Sequence, residues 1–369
     1  MRVMHAAETI KGGVATVLDS LATYQQHSDQ ITALKLLVPQ QHLSELSPGL
    51  LTQSVTFDRR SRGVVAFFHF ARCFYREVRS FRPDVVHLHS TFAGLLGRIM
   101  LCLFFRQHAI RVIYCPHGFA FLIQASRLKQ RLIIACERWL SRFTDRIICV
   151  GENEYQQALG AGLPARKLCL ISNGVKIPEK ANALSHNGLS TYTLLYVGRF
   201  DQQKGTDTLL QALQTLDSKQ LDFRLHIIMV GSAINDTRRN THITLRNITL
   251  EYTGWLSKTQ IADYYRRANC LIIPSRWEGF AMVPLEAISY NLPVITSDIV
   301  AFREINQISR LFFHCGNSSS LASLLSGINH YDLDGIKSQL MAALREKYTD
   351  KHMNRKTVEL YASALQGEK

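Results

Sequence analysis

No Cys-x-x-Cys pair occurs in this chain, whose eight cysteines stand at positions 73, 102, 115, 136, 149, 169, 270 and 315. The spacing speaks against a structural zinc, and the apolar runs around most of these residues speak against a disulfide scaffold. Buried thiols of a reducing compartment are expected instead. No apolar run approaches the ~20 residues that span a bilayer; Ile99-Met100-Leu101-Cys102-Leu103-Phe104-Phe105 falls far short. No secretory leader is expected, since Met1-Arg2-Val3-Met4 runs straight into a Gly-containing turn without an apolar h-region or cleavage site. There are no repeats below domain scale. A soluble or membrane-peripheral protein is expected.

Negative charge is scarce too: 29 Asp and Glu stand against 43 Lys and Arg, for a net +14. Of this, +11 falls within residues 1–177, so the basic surface belongs to the first half. Two segments concentrate it. Arg59 to Arg82 carries Val64, Phe67, Phe68, Ala71, Phe74, Tyr75 and Val78 at helical spacing, with Arg72, Arg76 and Arg79 on other faces. Ser126 to Arg146 carries Leu128, Leu132, Ala135, Cys136, Trp139 and Phe143, with Arg127, Arg131, Arg138 and Arg142. Basic amphipathic helices of this kind lie against anionic lipid, or they are core helices with a solvated basic face. No nucleic-acid module or base-stacking platform accompanies the charge, so no nucleic-acid partner is expected.

At 369 residues and 46% hydrophobic content the chain exceeds one ordinary core, and two domains of about 150 to 200 residues are expected. Strands alternate with helical patterns, which implies parallel sheets and an α/β class. The expected strands of the first half are Val3–His5, Ala33–Val38, Val85–Leu88, Arg111–Tyr114, Arg146–Val150 and Leu168–Ile171. In the second they are Thr193–Val197, His226–Val230, Ile248–Tyr252, Cys270–Ile273 and Pro293–Thr296. Linker composition between Val175 and Asn187 divides the chain into residues 1–177, 178–345 and a C-terminal helix, 346–369. Two Rossmann-like domains joined there are expected to face each other across a cleft at the carboxyl ends of their strands.

The richest stretch is Arg276-Trp277-Glu278-Gly279-Phe280-Ala281-Met282-Val283-Pro284-Leu285-Glu286, which sets two carboxylates eight positions apart between a buried strand and a helix. Pro284 suits the first turn of that helix. The helix N-terminus near Phe280 to Val283 favours phosphate oxygens, and Glu286, expected in the first turn, can reach a neighbouring diol. A second strand-to-helix turn, Gly198-Arg199-Phe200-Asp201-Gln202-Gln203-Lys204-Gly205, adds two cations. The Arg199 fork grips two phosphate oxygens, and Lys204 is a point charge for a leaving group. In the first half, Gly12 and Gly13 after the first strand can bring backbone N–H groups to a diphosphate. His87, His89 and Ser90 end another strand and are candidates for acceptor contact. His87 and His89 share a strand face, but no carboxylate cluster accompanies them, so no metal site is expected.

With Gly-Arg, a Lys five residues after the Arg, Glu-Gly-Phe, and a second Glu eight residues after the first, the chain resembles the retaining GT-B glycosyltransferases of family GT4. The likeness runs over residues 1–305 or so. It implies that Glu286 accepts hydrogen bonds from ribose hydroxyls and that Glu278, with Gly279, Phe280, Ala281, Met282 and Val283, holds the donor. His117 in Pro116-His117-Gly118-Phe119 resembles the family's His-Gly loop beside the transferred sugar, and Asn173-Gly174-Val175 its hinge-side loop. Gly254 and Trp255 fall near the nucleotide base, with Trp255 equally readable as a packing residue. The resemblance further implies that the final helix, here Leu344 to Leu365, returns to the first domain. Ala281 stands where the family commonly has Gly, and Val300-Ala301-Phe302 replaces a usual glycine pair.

The activity implied is retaining transfer of a sugar from a nucleoside diphosphate sugar, UDP-linked in preference, without a metal or other cofactor. His117, Arg199, Lys204 and Glu278 would be the catalytic set. The acceptor implied is a polyprenyl-diphosphate-linked glycan of bacterial surface polysaccharide, with the enzyme peripheral on the cytoplasmic face of the inner membrane. A soluble acceptor, or a catalytically silent GT-B membrane or assembly factor, is the alternative. A glycosidase pair of Glu278 and Glu286 would leave the phosphate-gripping cations without purpose.

Overall fold

A computed structural model describes residues 1–59, 63–122, 126–181, 190–233, 245–306 and 311–367. The chain divides into two compact units, Met1–Gly174 with Asp350–Lys369, and Val175–Thr349. The second part of the linker composition noted above, Asn182 to Asn187, lies outside the described residues.

In the first unit the strands are β1 (Arg2–Ala7), β2 (Ala33–Pro39), β3 (Ser54–Phe57), β4 (Val85–His89), β5 (Arg111–Cys115), β6 (Arg146–Cys149) and β7 (Leu168–Leu170). All pair in parallel, in the order β3-β2-β1-β4-β5-β6-β7. A parallel sheet is covered on both faces, which is why β1 and β4 read as nearly unbroken buried runs. The helix Val64–Phe81 buries Ala66, Phe70, Phe74, Val78 and Phe81, a stripe at helical spacing that joins the sheet's core. In the helix Thr91–Phe104 a Cβ on Gly94 would collide with the Tyr114 ring, so only glycine lets that helix lie this close to the sheet.

The second unit holds β8 (Thr191–Val197), β9 (Arg224–Val230), β10 (Ile248–Gly254), β11 (Cys270–Ile273), β12 (Val294–Ser297) and β13 (Phe312–Phe313). Its parallel order is β10-β9-β8-β11-β12-β13. In both sheets the order reverses next to the first strand of the unit, between β1 and β4 and between β8 and β11. Open α/β sheets place ligands at the carboxyl ends of the strands at such a switch point.

Two strands carry no clear sequence signal: β3 is short and polar at its start, and β13 has two residues. The single helix expected from Leu344 to Leu365 is two helices, Leu333–Lys347 and Asp350–Gln366, interrupted at Tyr348 and Thr349. Val175 enters a bridge with Thr349, and its N–H donates to the Tyr348 carbonyl at 2.9 Å, which breaks the helical run. The second of these helices belongs to the first unit, where Asn354 donates to Ser20 and Tyr361 is fully buried.

The helix Arg127–Leu140 departs from the core-helix reading of its sequence and keeps its apolar stripe outward. Leu128, Leu132 and Trp139 are exposed, whereas Glu137 and Leu140 are buried. Burial there is ionic: Arg98, with no exposed surface, donates to Glu137 at 2.9 Å, and its guanidinium lies 3.9 Å from the Tyr114 ring centroid.

Candidate active site

In the second unit, the cationic turn and the two-carboxylate loop leave the carboxyl ends of adjacent strands, β8 and β11. Gly205, at φ +65°, begins the helix Thr206–Asp217 against the Pro274 carbonyl, where any Cβ would clash. That close approach brings Lys204 to Glu278. Lys204 Nζ donates to Glu278 Oε1 at 2.6 Å, and Ser275 Oγ donates to the same oxygen at 2.7 Å. Asp201 Oδ1 accepts from the Lys204 backbone N–H at 2.8 Å, fixing the turn. Arg199 lies beside this pair in sequence, its Nη2 on Gln203 Oε1 at 2.6 Å and its Nε 3.3 Å from Asp201 Oδ2. Gln203 in turn donates to the Trp277 carbonyl and accepts from Arg276 N–H through its own carbonyl, stitching the two loops together. Arg276 makes a two-pronged contact with Asp207, 2.7 Å at each oxygen, and is a strut between the loops.

The helix after β11 is Met282–Ser289, with Ala281 as N-cap and no side chain capping its first turn. Its leading N–H groups and its dipole therefore offer positive potential. Ala281 adopts φ −89°, a conformation that does not require the glycine the family commonly has there. Glu286 is the fifth residue of this helix, not in its first turn as expected, because the helix begins at Met282. Burial pushes its carboxyl above the usual range, and the Tyr265 hydroxyl, donating at 3.3 Å, offsets only part of that. Hydroxyl donors from a diol would stabilise the charged form further. Gly254, at φ +72°, ends β10, and Trp255 beyond it is 58% exposed, so it is not the packing residue that its sequence equally allowed.

In the first unit Gly12, at φ +59°, caps the helix Gly13–Gln26 without a side-chain hydrogen bond, and nothing stands within 4 Å of where its Cβ would be. His117 follows β5, partly buried and at φ +53°. Its Nε2 is 3.0 Å from His89 Nδ1. His89 and His87 are buried, which corrects their assignment to direct acceptor contact: the His89 ring packs between His5 and His117, and the His87 ring against Tyr361. His89 Nε2 is 2.9 Å from His5 Nδ1, and His5 Nε2 is 2.7 Å from Gln25 Oε1. His87 Nδ1 meets the Tyr361 hydroxyl at 2.5 Å. Ser90, at φ +71°, has a buried hydroxyl with no hydrogen-bond partner among the described residues.

Desolvation lowers all four histidines below their ordinary value, His5 to about 4, so the rings are neutral at pH 7. Ring nitrogens of His5, His87 and His89 come within 4.8 Å of one another, the one group among the described residues with metal-binding spacing.

The structure thus brings together Arg199, Lys204, Glu278 and the helix at Met282 in one unit, and His117 with His89 and His87 in the other. His5, Gln25, Tyr361 and Ser275 are additions. His5 carried a usable signal, since it lies on β1 opposite His87 in register. Gln25 and Tyr361 carried none, being single polar residues on otherwise amphipathic helices.

Residues 11–177 match the family model described as Glycosyltransferase Family 4, and residues 182–329 match that of Glycosyl transferases group 1. A Klebsiella pneumoniae chain described as an uncharacterized 41.2 kDa protein in the cps region is 30% identical over 83% of this chain and 83% of its own length. An Escherichia coli UDP-Gal:alpha-D-GlcNAc-diphosphoundecaprenol alpha-1,3-galactosyltransferase is 28% identical over 61% of this chain and 60% of its own. Among solved structures, Anabaena Alr3699/HepE in complex with UDP and glucose superposes with a TM-score of 0.75 at 17% identity, covering 98% of this chain and 100% of that one.

Proposed function

The chain belongs to glycosyltransferase family 4 and carries the GT-B fold, and from that premise we propose that it transfers a sugar, with retention, from a nucleoside diphosphate sugar to a polyprenyl-diphosphate-linked glycan. The observation that carries the reading is the Lys204–Glu278 pair, set beside Arg199 and an uncapped helix N-terminus at the sheet's switch point. In such a transfer the anomeric C–O bond breaks as the acceptor oxygen attacks from the same face. The acceptor proton passes to the departing phosphate oxygen. Charge grows on the diphosphate, and Arg199, Lys204 and the helix dipole answer it without a metal ion. Glu278 holds donor-sugar hydroxyls, Glu286 the ribose, and exposed Trp255 the base. His117 is assigned to a hydroxyl of the reacting sugars. A UDP-sugar is favoured because the Escherichia coli relative is named for UDP-Gal.

A silent assembly factor has no need of a buried carboxylate matched to a lysine, and this pair favours turnover. The donor site is tested by melting the purified protein against a panel of nucleoside diphosphates and their sugars. At 100 times its Kd the right ligand adds ~2.7 kcal/mol, a shift of several degrees that Arg199→Ala should abolish. No shift with any nucleotide would return weight to the silent fold.

No described helix is long and apolar enough to cross a membrane. The lipid-linked acceptor is supported by a surface of the first unit. Val64, Phe68, Leu103, Phe104, Leu128 and Leu132 are exposed on three helices, of which Thr91–Phe104 packs against both others. Exposed Arg72, Arg76, Arg79, Arg127 and Arg131 share two of these helices. Apolar side chains rimmed by arginine suit an anionic membrane face, here the cytoplasmic face of the inner membrane. Replacing Arg72, Arg76 and Arg79 by Gln should weaken partitioning onto anionic vesicles, read by sedimentation, by roughly a hundred-fold, at ~1 kcal/mol per surface charge. Unchanged sedimentation would remove this helix from the lipid contact and leave a soluble acceptor as the better reading.

A further inference from the structure

Three histidines of the first unit, His5, His89 and His117, form a hydrogen-bonded file whose direction is fixed at one end. Neutral imidazole has one N–H and one lone pair, so each ring that donates on one side must accept on the other. Gln25 Oε1 is an acceptor only, which places the proton of His5 on Nε2, 2.7 Å away. His5 Nδ1 is then a lone pair and accepts from His89 Nε2 at 2.9 Å. His89 Nδ1 in turn accepts from His117 Nε2 at 3.0 Å. Tyr361 steadies the anchor, since its hydroxyl lies 3.5 Å from Gln25 Nε2 as well as against His87.

We infer that His5, His89 and Gln25 are positioning residues that hold His117 as its Nε2–H tautomer, leaving Nδ1 of His117 as the ring's acceptor. His5 and His89 are fully buried and His117 is only partly buried, so the file runs from the interior toward the surface. The consequence for sugar transfer rests on the role proposed for His117; the tautomer itself does not. A lone pair at Nδ1 accepts a hydroxyl proton or a hydroxyl hydrogen bond, whereas an N–H there would only donate. A metal-binding reading of the same cluster fails on occupancy: both nitrogens of His5 and both of His89 are engaged in hydrogen bonds, and only His87 Nε2 lacks a partner among these groups.

The test is long-range nitrogen–proton NMR of the full-length protein with labelled histidine at pH 7, resonances being assigned by single His→Gln variants. His5, His89 and His117 are expected as neutral Nε2–H tautomers. Gln25→Leu, which removes the terminal acceptor, should bring Nδ1–H into the His117 signal, and Gln25→Glu, which keeps an acceptor, should restore the single tautomer. Gln25→Leu should also lower kcat by at least roughly ten-fold, short of the ~10⁴ that a wholly wrong tautomer costs a serine protease, while nucleotide-induced stabilisation stays as in the wild type. An Nδ1–H form of His117 in the wild type overturns the inference without any variant having to fold. So does a His117 tautomer indifferent to Gln25→Leu, or a shift of the His5, His87 and His89 nitrogens to metal-bound positions on adding Zn²⁺. An enzyme with no transfer activity but the expected tautomers would count against the function and leave the relay standing.

Discussion

Lys204→Ala lowers the rate of sugar transfer by about 10²–10³-fold, the usual cost of deleting one preorganised charge donor from a transition state. The expectation rests on where the ammonium sits. Its backbone is tied to Asp201, its Nζ is 2.6 Å from Glu278, and the Glu278 side chain is only 7% exposed. Lys204 therefore has a fixed position before any substrate arrives, and two of its three N–H donors remain for phosphate oxygens. The variant also leaves Glu278 with Ser275 alone, so some stability is lost as well. Arg276→Ala separates the two effects. It breaks the contact between the two-carboxylate loop and Asp207 in the first turn of the helix Thr206–Asp217, and should lower the melting temperature while changing kcat little. A Lys204→Ala enzyme with kcat close to wild type would remove Lys204 from the phosphate role.

Acid weakens the first unit well before carboxylates protonate. The four clustered histidines have lowered values in the folded chain, whereas unfolded histidine titrates near 6.5. Their contribution is fully present above about pH 6.5 and is lost as pH falls from there toward 4, because the unfolded chain takes up protons that the folded one refuses. Each such proton costs ~1.4 kcal/mol per pH unit. From 6.5 to about 4, His5 alone amounts to about 3 kcal/mol. The cluster's other neighbours do not compensate: Gln25 is uncharged, and burial raises the Tyr361 hydroxyl and the Cys115 thiol so that both stay neutral. Hydrogen exchange of the β1 and β4 amides at pH 7 and at pH 5 measures the effect. Faster opening at pH 5 is expected, and equal protection at the two values would mean the rings are not held neutral.

Much of this was legible in the chain, for physical reasons. Parallel strands are buried on both faces, so β1, β4, β8 and β11 stand out as short apolar runs. The glycine at position 205 and the charged residues around it mark a turn whose chemistry is local. What stayed hidden depends on partners distant in sequence. The histidine file needs Gln25 and Tyr361, 20 residues from His5 and 274 from His87. The outward apolar face of Arg127–Leu140 could not be told from a core stripe, because spacing shows a stripe but not which side of it meets the sheet. There the buried Arg98–Glu137 pair decides the orientation. The break at Tyr348 and Thr349 likewise follows from a contact with Val175 that no local propensity encodes.

The central claim is transfer itself, and the direct measurement is incubation of the purified protein with nucleoside diphosphate sugars and a short polyprenyl-diphosphate-linked glycan, followed by the anomeric coupling constant of the product. Consumption of one donor, with an α-linked product from an α-linked donor, is the predicted result. Inversion at the anomeric carbon, or no product from any donor that the protein demonstrably binds, would contradict it.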